Sequence, residues 1–327
     1  MNLYEQQQAN RRKTWLVMLV FVAFFLFLGF GFDAFYLGAG RGAFPIASTI
    51  ALGVGSVSAA VSYFSGDRAV LLSTAARPLE ELQASATDAD RLTLRQLENV
   101  VDEMAIAPGL PRPKVYVVPD ADPNAFATGR DPAHASLAVT RGLLDTLDRE
   151  ELQGVVAHEM SHIRNLDVRV MTIVAALAGA VALLADWAQR GMTWGGGRRR
   201  DRDEDRGGGA AGIILFAVWL VAILIAPLVA QLLAMMVSRR REYLADASGA
   251  ELTRNPMGLA RALEKIDAAA GPTPIVNRGT AHLCIADPLG RPMNLREGAV
   301  ANLFASHPPM AARIEALRAM AFERRQQ

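Results

Sequence analysis

His158, Glu159 and His162 stand in the pentad His158-Glu159-Met160-Ser161-His162, an H-E-x-x-H pattern in which spacing matters more than composition. Residues four apart on a helix lie one turn above each other, so both imidazoles face the same way and can bind one Zn2+ at about 2.0–2.1 Å. Glu159 then sits one residue off that axis, beside the metal. A carboxylate there can take a proton from an attacking water and pass it to a leaving amine. With five histidines in 327 residues, an accidental match is rarer than roughly one in a hundred such chains. The bland alternative is a pair of surface histidines beside a solvated glutamate. The apolar side of the surrounding segment, with Leu152, Val155 and Val156, argues against it.

A catalytic zinc needs a third protein ligand and one open position. The remaining histidines are His134, His282 and His307, and the acids nearest the end of the last long apolar run are Glu242 and Asp246. Those two acids are four apart and share a face on a helix. Such a pair allows Glu242 to coordinate the metal while Asp246 accepts a hydrogen bond from the distal nitrogen of a ligand histidine. Both could instead pair with Arg239, Arg240 and Arg241 just before them.

Several elements must position these groups. Asp148 with Glu151 three residues on reads as a capping box opening the helix that carries the pentad. Before it, Leu94, Leu97, Val101 and Met104 recur at helical spacing, and Pro108, Gly109 and Pro111 stop that helix. Three β-prone pieces follow: Lys114 to Val118, Ala125 to Thr128 and Ser136 to Thr140. Past the second acidic pair, Asn255 and Pro256 read as N-cap and first residue of a helix through Leu259, Leu263 and Ile266. A proline- and glycine-rich stretch from Gly271 to Arg296 reads as loop, and Ile314, Leu317 and Met320 mark a final helix from Pro309 to about Arg325.

Apolar runs interrupt this soluble pattern. Trp15 to Leu37 and Ala43 to Phe64 are each long enough to cross a hydrocarbon core of about 20 residues, and the second is rich in the small residues that let membrane helices approach closely. Arg11, Arg12 and Lys13 precede the first run, and Arg68 and Arg77 follow the second, which places both flanks in the cytoplasm. Val170 to Ala185 is marginal as a span, and Ile213 to Val237 is comfortably long. Because His158 and Glu242 must meet on one side of the membrane, an even number of crossings separates them. Four spans are expected, with a hairpin that dips in and returns as the alternative. The six arginines from Arg190 to Arg206 speak for that alternative.

The expected division is therefore 1–68, an N-terminal transmembrane hairpin with spans at about 15–37 and 43–64; 69–169, the first half of the catalytic domain; 170–237, a second hairpin with polar loop 186–212; and 238–327, the second half with the third ligand. A net charge of +1 suggests no nucleic-acid partner. The single Cys284 cannot form an internal disulfide, fits a reducing compartment, and reads as a small buried hydrophobe.

The pentad, followed by Arg164-Asn165-Leu166-Asp167 and later by Arg241-Glu242-Tyr243-Leu244-Ala245-Asp246, resembles the HtpX branch of the integral-membrane zinc metalloproteases, related to the CAAX prenyl proteases. Asn124-Ala125-Phe126-Ala127-Thr128-Gly129 and Ser306-His307-Pro308 are also similar to motifs of that family, and the resemblance covers most of the chain. It implies a mainly α fold with a small β-sheet (α+β), as a multi-pass helical membrane protein with a cytoplasmic zincin-type (gluzincin) domain. It implies one zinc per chain, held by His158, His162 and Glu242, with Glu159 catalytic and Asp246 orienting a ligand histidine. It further implies that the strand from Asn124 aligns substrate backbone by β-addition and that His307 stabilises an oxyanion. An endopeptidase of the inner membrane follows, acting on membrane or misfolded proteins at the cytoplasmic face under stress. The competing expectations are a zinc-stabilised scaffold without catalysis, prenyl-peptide processing, and a small transporter; almost no ionisable group lies within the runs to support the last.

Overall fold

The computed structural model of the chain describes residues 3–34, 44–179, 239–269, 283–285 and 308–325. Helices α1 (Leu3–Phe32) and α2 (Ile46–Ser73) pack along each other as a hairpin. Both are long and apolar enough to cross a membrane by length and composition. Each exceeds its apolar run: α1 begins well before Trp15, and α2 continues past Arg68 to Ser73. The hairpin is closed by Asp33, whose carboxylate accepts from the backbone N–H of Ala47 (2.9 Å) and Ser48 (2.8 Å), free donors at the start of α2. Trp15, Leu19, Phe27 and Phe30 on α1, and Ile50, Val57, Val61 and Phe64 on α2, face outward as a continuous apolar band.

The remaining elements form one core around a four-stranded mixed sheet. After β1 (Arg77–Pro78) come the helices α3 (Leu79–Ser85) and α4 (Asp88–Ile106), and then β2 (Lys114–Val118), β3 (Ala125–Gly129) and β4 (Ala135–Thr140). The spatial order is β1-β2-β4-β3, with β2 parallel to β4 and the other two pairs antiparallel. All three β-prone pieces of the sequence are strands, each within one residue of its expected limits. The two-residue β1 and the one- and two-turn helices α3 and α5 (Arg141–Thr146) carry too few residues to show a period, and only the structure reveals them.

Helix α6 (Arg149–Arg164) starts at the expected capping box, with Asp148 accepting from the Glu151 amide (3.0 Å) and Glu151 accepting from the Asp148 amide (2.9 Å). It crosses the core, and Leu152, Val155, Val156, Met160 and Ile163 are all buried. A helix α7, described over 167–179, leaves α6 through Leu166, which adopts a left-handed φ of 59°. Its Ile173 and Leu177 pack on Phe21, Phe25 and Ala59 of the hairpin and so join the two parts of the chain. The rest of the run to Ala185, the polar loop and the run from Ile213 to Val237 lie outside the described residues.

Helices α8 (Arg239–Thr253), α9 (Pro256–Ala268) and α10 (Met310–Arg325) complete the core. The expected Asn255 cap is present, accepting from the Gly258 amide at 3.1 Å. Two glycines set the closeness of these helices to α6. A Cβ on Gly154 would stand 2.8 Å from Leu259 Cα, and one on Gly249 would stand 3.1 Å from the His158 amide nitrogen. Gly249 thereby lets α8 lie directly against the turn that carries His158.

Candidate active site

His158, Glu159 and His162 are all buried on the face of α6 turned toward α8. Their Nε2 atoms lie 3.2 Å apart. From α8, Glu242 brings Oε1 to 3.6 Å from His162 Nε2 and Oε2 to 3.7 Å from His158 Nε2. Ligands at about 2.0–2.1 Å from a single zinc, at tetrahedral angles, stand roughly 3.3 Å from one another. The three groups therefore already have the separations of a metal's ligand shell.

The far side of each imidazole is anchored. His158 Nδ1 faces Asp246 Oδ1 at 2.9 Å, and His162 Nδ1 faces Asp167 Oδ2 at 3.3 Å. A carboxylate is an acceptor, so it assigns the ring proton to Nδ1 in both residues and leaves both Nε2 lone pairs pointing inward. Two imidazole lone pairs and a carboxylate converging in a dry space repel one another unless a cation lies between them.

Charge bookkeeping leads to the same conclusion. Glu159, Glu242, Asp246 and Asp167 are four buried carboxylates, and the buried guanidiniums beside them, Arg313 and Arg241, are two. With all four carboxylates ionised and both imidazoles neutral, as metal ligands must be, two negative charges would remain, the complement of one divalent ion. The ionisable groups register this surplus. Burial alone would lower the pKa of His162, but Asp167, Glu242 and Glu159 raise it to about 9. Burial pushes Glu159 up to about 7, helped by Glu242, against the pull of Arg313 and a hydrogen bond from the Ala127 amide. A cation held nearby would draw that carboxyl back down and keep it ionised at neutral pH.

Arg313, on α10, is the residue the sequence did not announce. It is fully buried and donates twice to Asp246, through Nε (2.8 Å) and Nη2 (2.7 Å). Nη1 donates to the Ile285 carbonyl at 2.9 Å and lies 3.5 Å from Glu242 Oε2. Burial would raise the pKa of Asp246, but Arg313 holds it at about 2. Nothing in the helical spacing of the last element marks an arginine as buried.

Asp167 belongs to the Arg164-Asn165-Leu166-Asp167 segment, and its place is a matter of backbone conformation. The left-handed residue Leu166 breaks α6 and turns the chain so that Asp167 comes back under His162. Asp246 stands beside His158, and both it and Glu242 lie within ion-pair distance of Arg313.

Strand β3 is at the sheet's edge and passes beside the site, its Ala127 amide bonding Glu159. Asn124, just ahead of it, is buried, and its side chain accepts from the Ala125 amide at 3.0 Å. Asn124 thus shapes the start of the strand that passes beside the site. The segment at Ile285 donates to the Ala125 carbonyl and covers one outward position of the edge. Cys284 is buried there among Phe126, Ala138 and Val118, as a small hydrophobe. His134 is exposed and bonds Asp131, away from the site. His282 and His307 lie outside the described residues.

Comparison with known proteins gives this geometry a context. Residues 91–321 match Peptidase family M48. The chain belongs to that family. A protease HtpX homolog of Caldanaerobacter subterraneus subsp. tengcongensis is 42% identical over 320 residues, covering 97% of this chain and 98% of the relative. One from Streptococcus gordonii is 40% identical over 319 residues, covering 97% and 100%. Among solved structures, the crystal structure of S. mikatae Ste24p aligns with a TM-score of 0.47 at 18% identity, covering 96% of this chain and 67% of that one. As an M48 peptidase the chain is a membrane metalloendopeptidase that hydrolyses peptide bonds in protein or peptide substrates. The family implies a metal, typically zinc, and His158, His162 and Glu242 are the group suited to hold it.

Proposed function

We propose that this M48 peptidase is a zinc-dependent endopeptidase of the cell membrane that cuts membrane or misfolded proteins at the cytoplasmic face, in stress-related quality control. The observation that carries the zinc assignment is the inward convergence of two imidazole nitrogens and a carboxylate in a buried cluster with more carboxylates than guanidiniums. His158, His162 and Glu242 would hold one Zn2+. When bound, zinc supplies the Lewis acidity that makes a water reactive near neutral pH and polarises a peptide carbonyl.

Every other task falls to the chain. Glu159 accepts the attacking water's proton and returns it to the leaving amide nitrogen, its carboxylate aimed by the Ala127 amide. Asp246 and Asp167 hold the two ring orientations. An extended substrate lies along the edge of β3, which Asn124 helps to define. His307 would face the developing oxyanion. The halves 69–169 and 238–327 together form the catalytic domain, with the hairpins 1–68 and 170–237 inserted in the bilayer. The outward apolar band of α1 and α2, with Arg11, Arg12 and Lys13 before the first run and Arg68 and Arg77 after the second, at the same end of the hairpin, supports lipid contact and cytoplasmic flanks.

Metal analysis of the purified chain tests the centre. One zinc per chain is expected in the wild type, with Glu242→Ala losing most of it and all measurable cleavage of an unfolded reporter protein. Stoichiometric zinc in that variant, held as tightly as before, would reject Glu242 as a ligand. The four-span topology has its own check in Gly208→Cys. A membrane-impermeant thiol reagent applied to intact cells is expected to label it, while the buried Cys284 stays silent. Labelling only after the cells are broken would point to a hairpin that does not span.

A further inference from the structure

The amino-terminal helix does more than anchor. Gln6, Asn10 and Thr14 recur every fourth residue on α1 just ahead of its apolar run, and all three are buried at 5% exposure or less. A buried polar stripe is unfavourable unless its groups are bonded. Here one member of the stripe, Asn10, and a neighbour, Gln7, reach the end of α6, where the last carbonyls of a helix have no partner within it. Gln7 Nε2 donates to the Arg164 carbonyl at 2.8 Å, and Asn10 Nδ2 donates to the Asn165 carbonyl at 2.9 Å. Asn10 Nδ2 also lies 2.7 Å from Asp167 Oδ1, a contact that spans 157 positions in the chain.

Asp167 is the carboxylate behind His162. Its Oδ2 faces His162 Nδ1 at 3.3 Å, while Oδ1 accepts from Asn10 and, at 3.2 Å, from Arg241 Nη1. Each donor holds the carboxylate from a different element: α6 through His162, α8 through Arg241 and α1 through Asn10. We infer that Asn10 is a positioning residue of the active site, fixing the plane of the Asp167 carboxylate and through it the ring of His162. This rests on the assignment of His162 as a metal ligand.

Asn10 is neutral, so its contribution is directional and does not alter the charge of the site. With Asn10 gone, the hydrogen-bond donor left to Oδ1 among the described residues is Arg241, with the Lys13 charge further off, and the carboxylate is free to swing toward that guanidinium and away from Nδ1. Partners at one remove from a metal typically change metal affinity or activity by 10–100-fold when removed. A residue one bond further out should act at the low end of that range.

The test uses the full chain in detergent, loaded with zinc or with Co2+ as a spectroscopic probe. Asn10→Leu is expected to speed zinc release to a chelator roughly 10-fold, shift the visible Co2+ bands, and lower kcat with KM unchanged. Asn10→Asp, which sets a second carboxylate against Asp167, should be worse in all three. Gln7→Ala breaks a neighbouring tie between α1 and α6 without touching Asp167, and should leave all three readouts at the wild-type value. If Gln7→Ala reproduces the Asn10→Leu changes, general docking of α1 explains them and the inference fails. Should Asn10→Leu not fold, Asn10→Ser takes its place, keeping a polar group too short to reach Asp167. His162→Ala separates the two levels. Retention of metal in that variant sinks the underlying assignment, whereas loss of metal there beside an unchanged release rate and Co2+ spectrum in Asn10→Leu sinks the inference alone.

Discussion

Glu159→Gln is expected to keep its zinc and lose cleavage of an unfolded reporter by roughly 10³-fold, within the 10²–10⁴ typical of a positioned general base. The amide has nearly the shape of the carboxylate and still accepts from the Ala127 amide, so the backbone around the pentad has no reason to move. What disappears is a buried carboxylate that interacts with His162 and Glu242 and is not one of the three grouped ligands. Glu159 is buried, and burial pushes its carboxyl up to about 7 without a metal; a cation beside it would keep it ionised near neutral pH, the form a general base needs. Zinc content and reporter turnover measured on one preparation decide the matter. Cleavage at the wild-type rate with full zinc would remove Glu159 from the mechanism, whereas loss of both would show a folding or metal defect.

Arg313→Leu is expected to lower stability by about 3–5 kcal/mol, the range for removing one partner of a buried ion pair. In a chain of this size that corresponds to a fall in Tm on the order of 10 °C. Its guanidinium makes three hydrogen bonds, two to Asp246 and one to the Ile285 carbonyl, and none of those acceptors has water to replace it. Arg313→Lys should recover only a small part of the loss, because a single ammonium cannot reach both carboxylate oxygens and the carbonyl in the planar arrangement that Arg313 uses. The consequence reaches the metal. Without Arg313, Asp246 rises from its value of about 2 and loses the two donors that fix its plane, so its contact with His158 Nδ1 is no longer held in place. Combining Arg313→Leu with Asp246→Leu should be less damaging to stability than the sum of the two changes, since the Asp246 charge is not then left unpaired. A Tm for Arg313→Leu within a degree of wild type would show that this buried pair contributes nothing to the fold.

Much of the site was legible before any coordinates. The separation of His158 and His162 is a property of one helix, fixed by 3.6 residues per turn. The capping box at Asp148 and Glu151, the Asn255 cap and the three strands are likewise local, each set by residues within a few positions of one another. Glu242 and Asp246 obey the same rule on α8, and spacing alone made them a joint candidate.

Tertiary structure alone decided how these local pieces meet. Periodicity says which face of α8 is shared by Glu242 and Asp246, but the absence of a side chain at Gly249 is what lets that face come against His158. Arg313 sits 67 positions from Asp246, and Asn10 sits 157 from Asp167. Nothing in the neighbourhood of either residue distinguishes it from the surface arginines and amides the chain carries elsewhere. Asp167 depends on one left-handed residue, Leu166, whose side chain gives no hint of that conformation. The physical reason is one of range. Helix geometry is dictated by bonds between near neighbours, whereas a buried charge is satisfied only by whatever the packing of distant elements brings within about 3 Å.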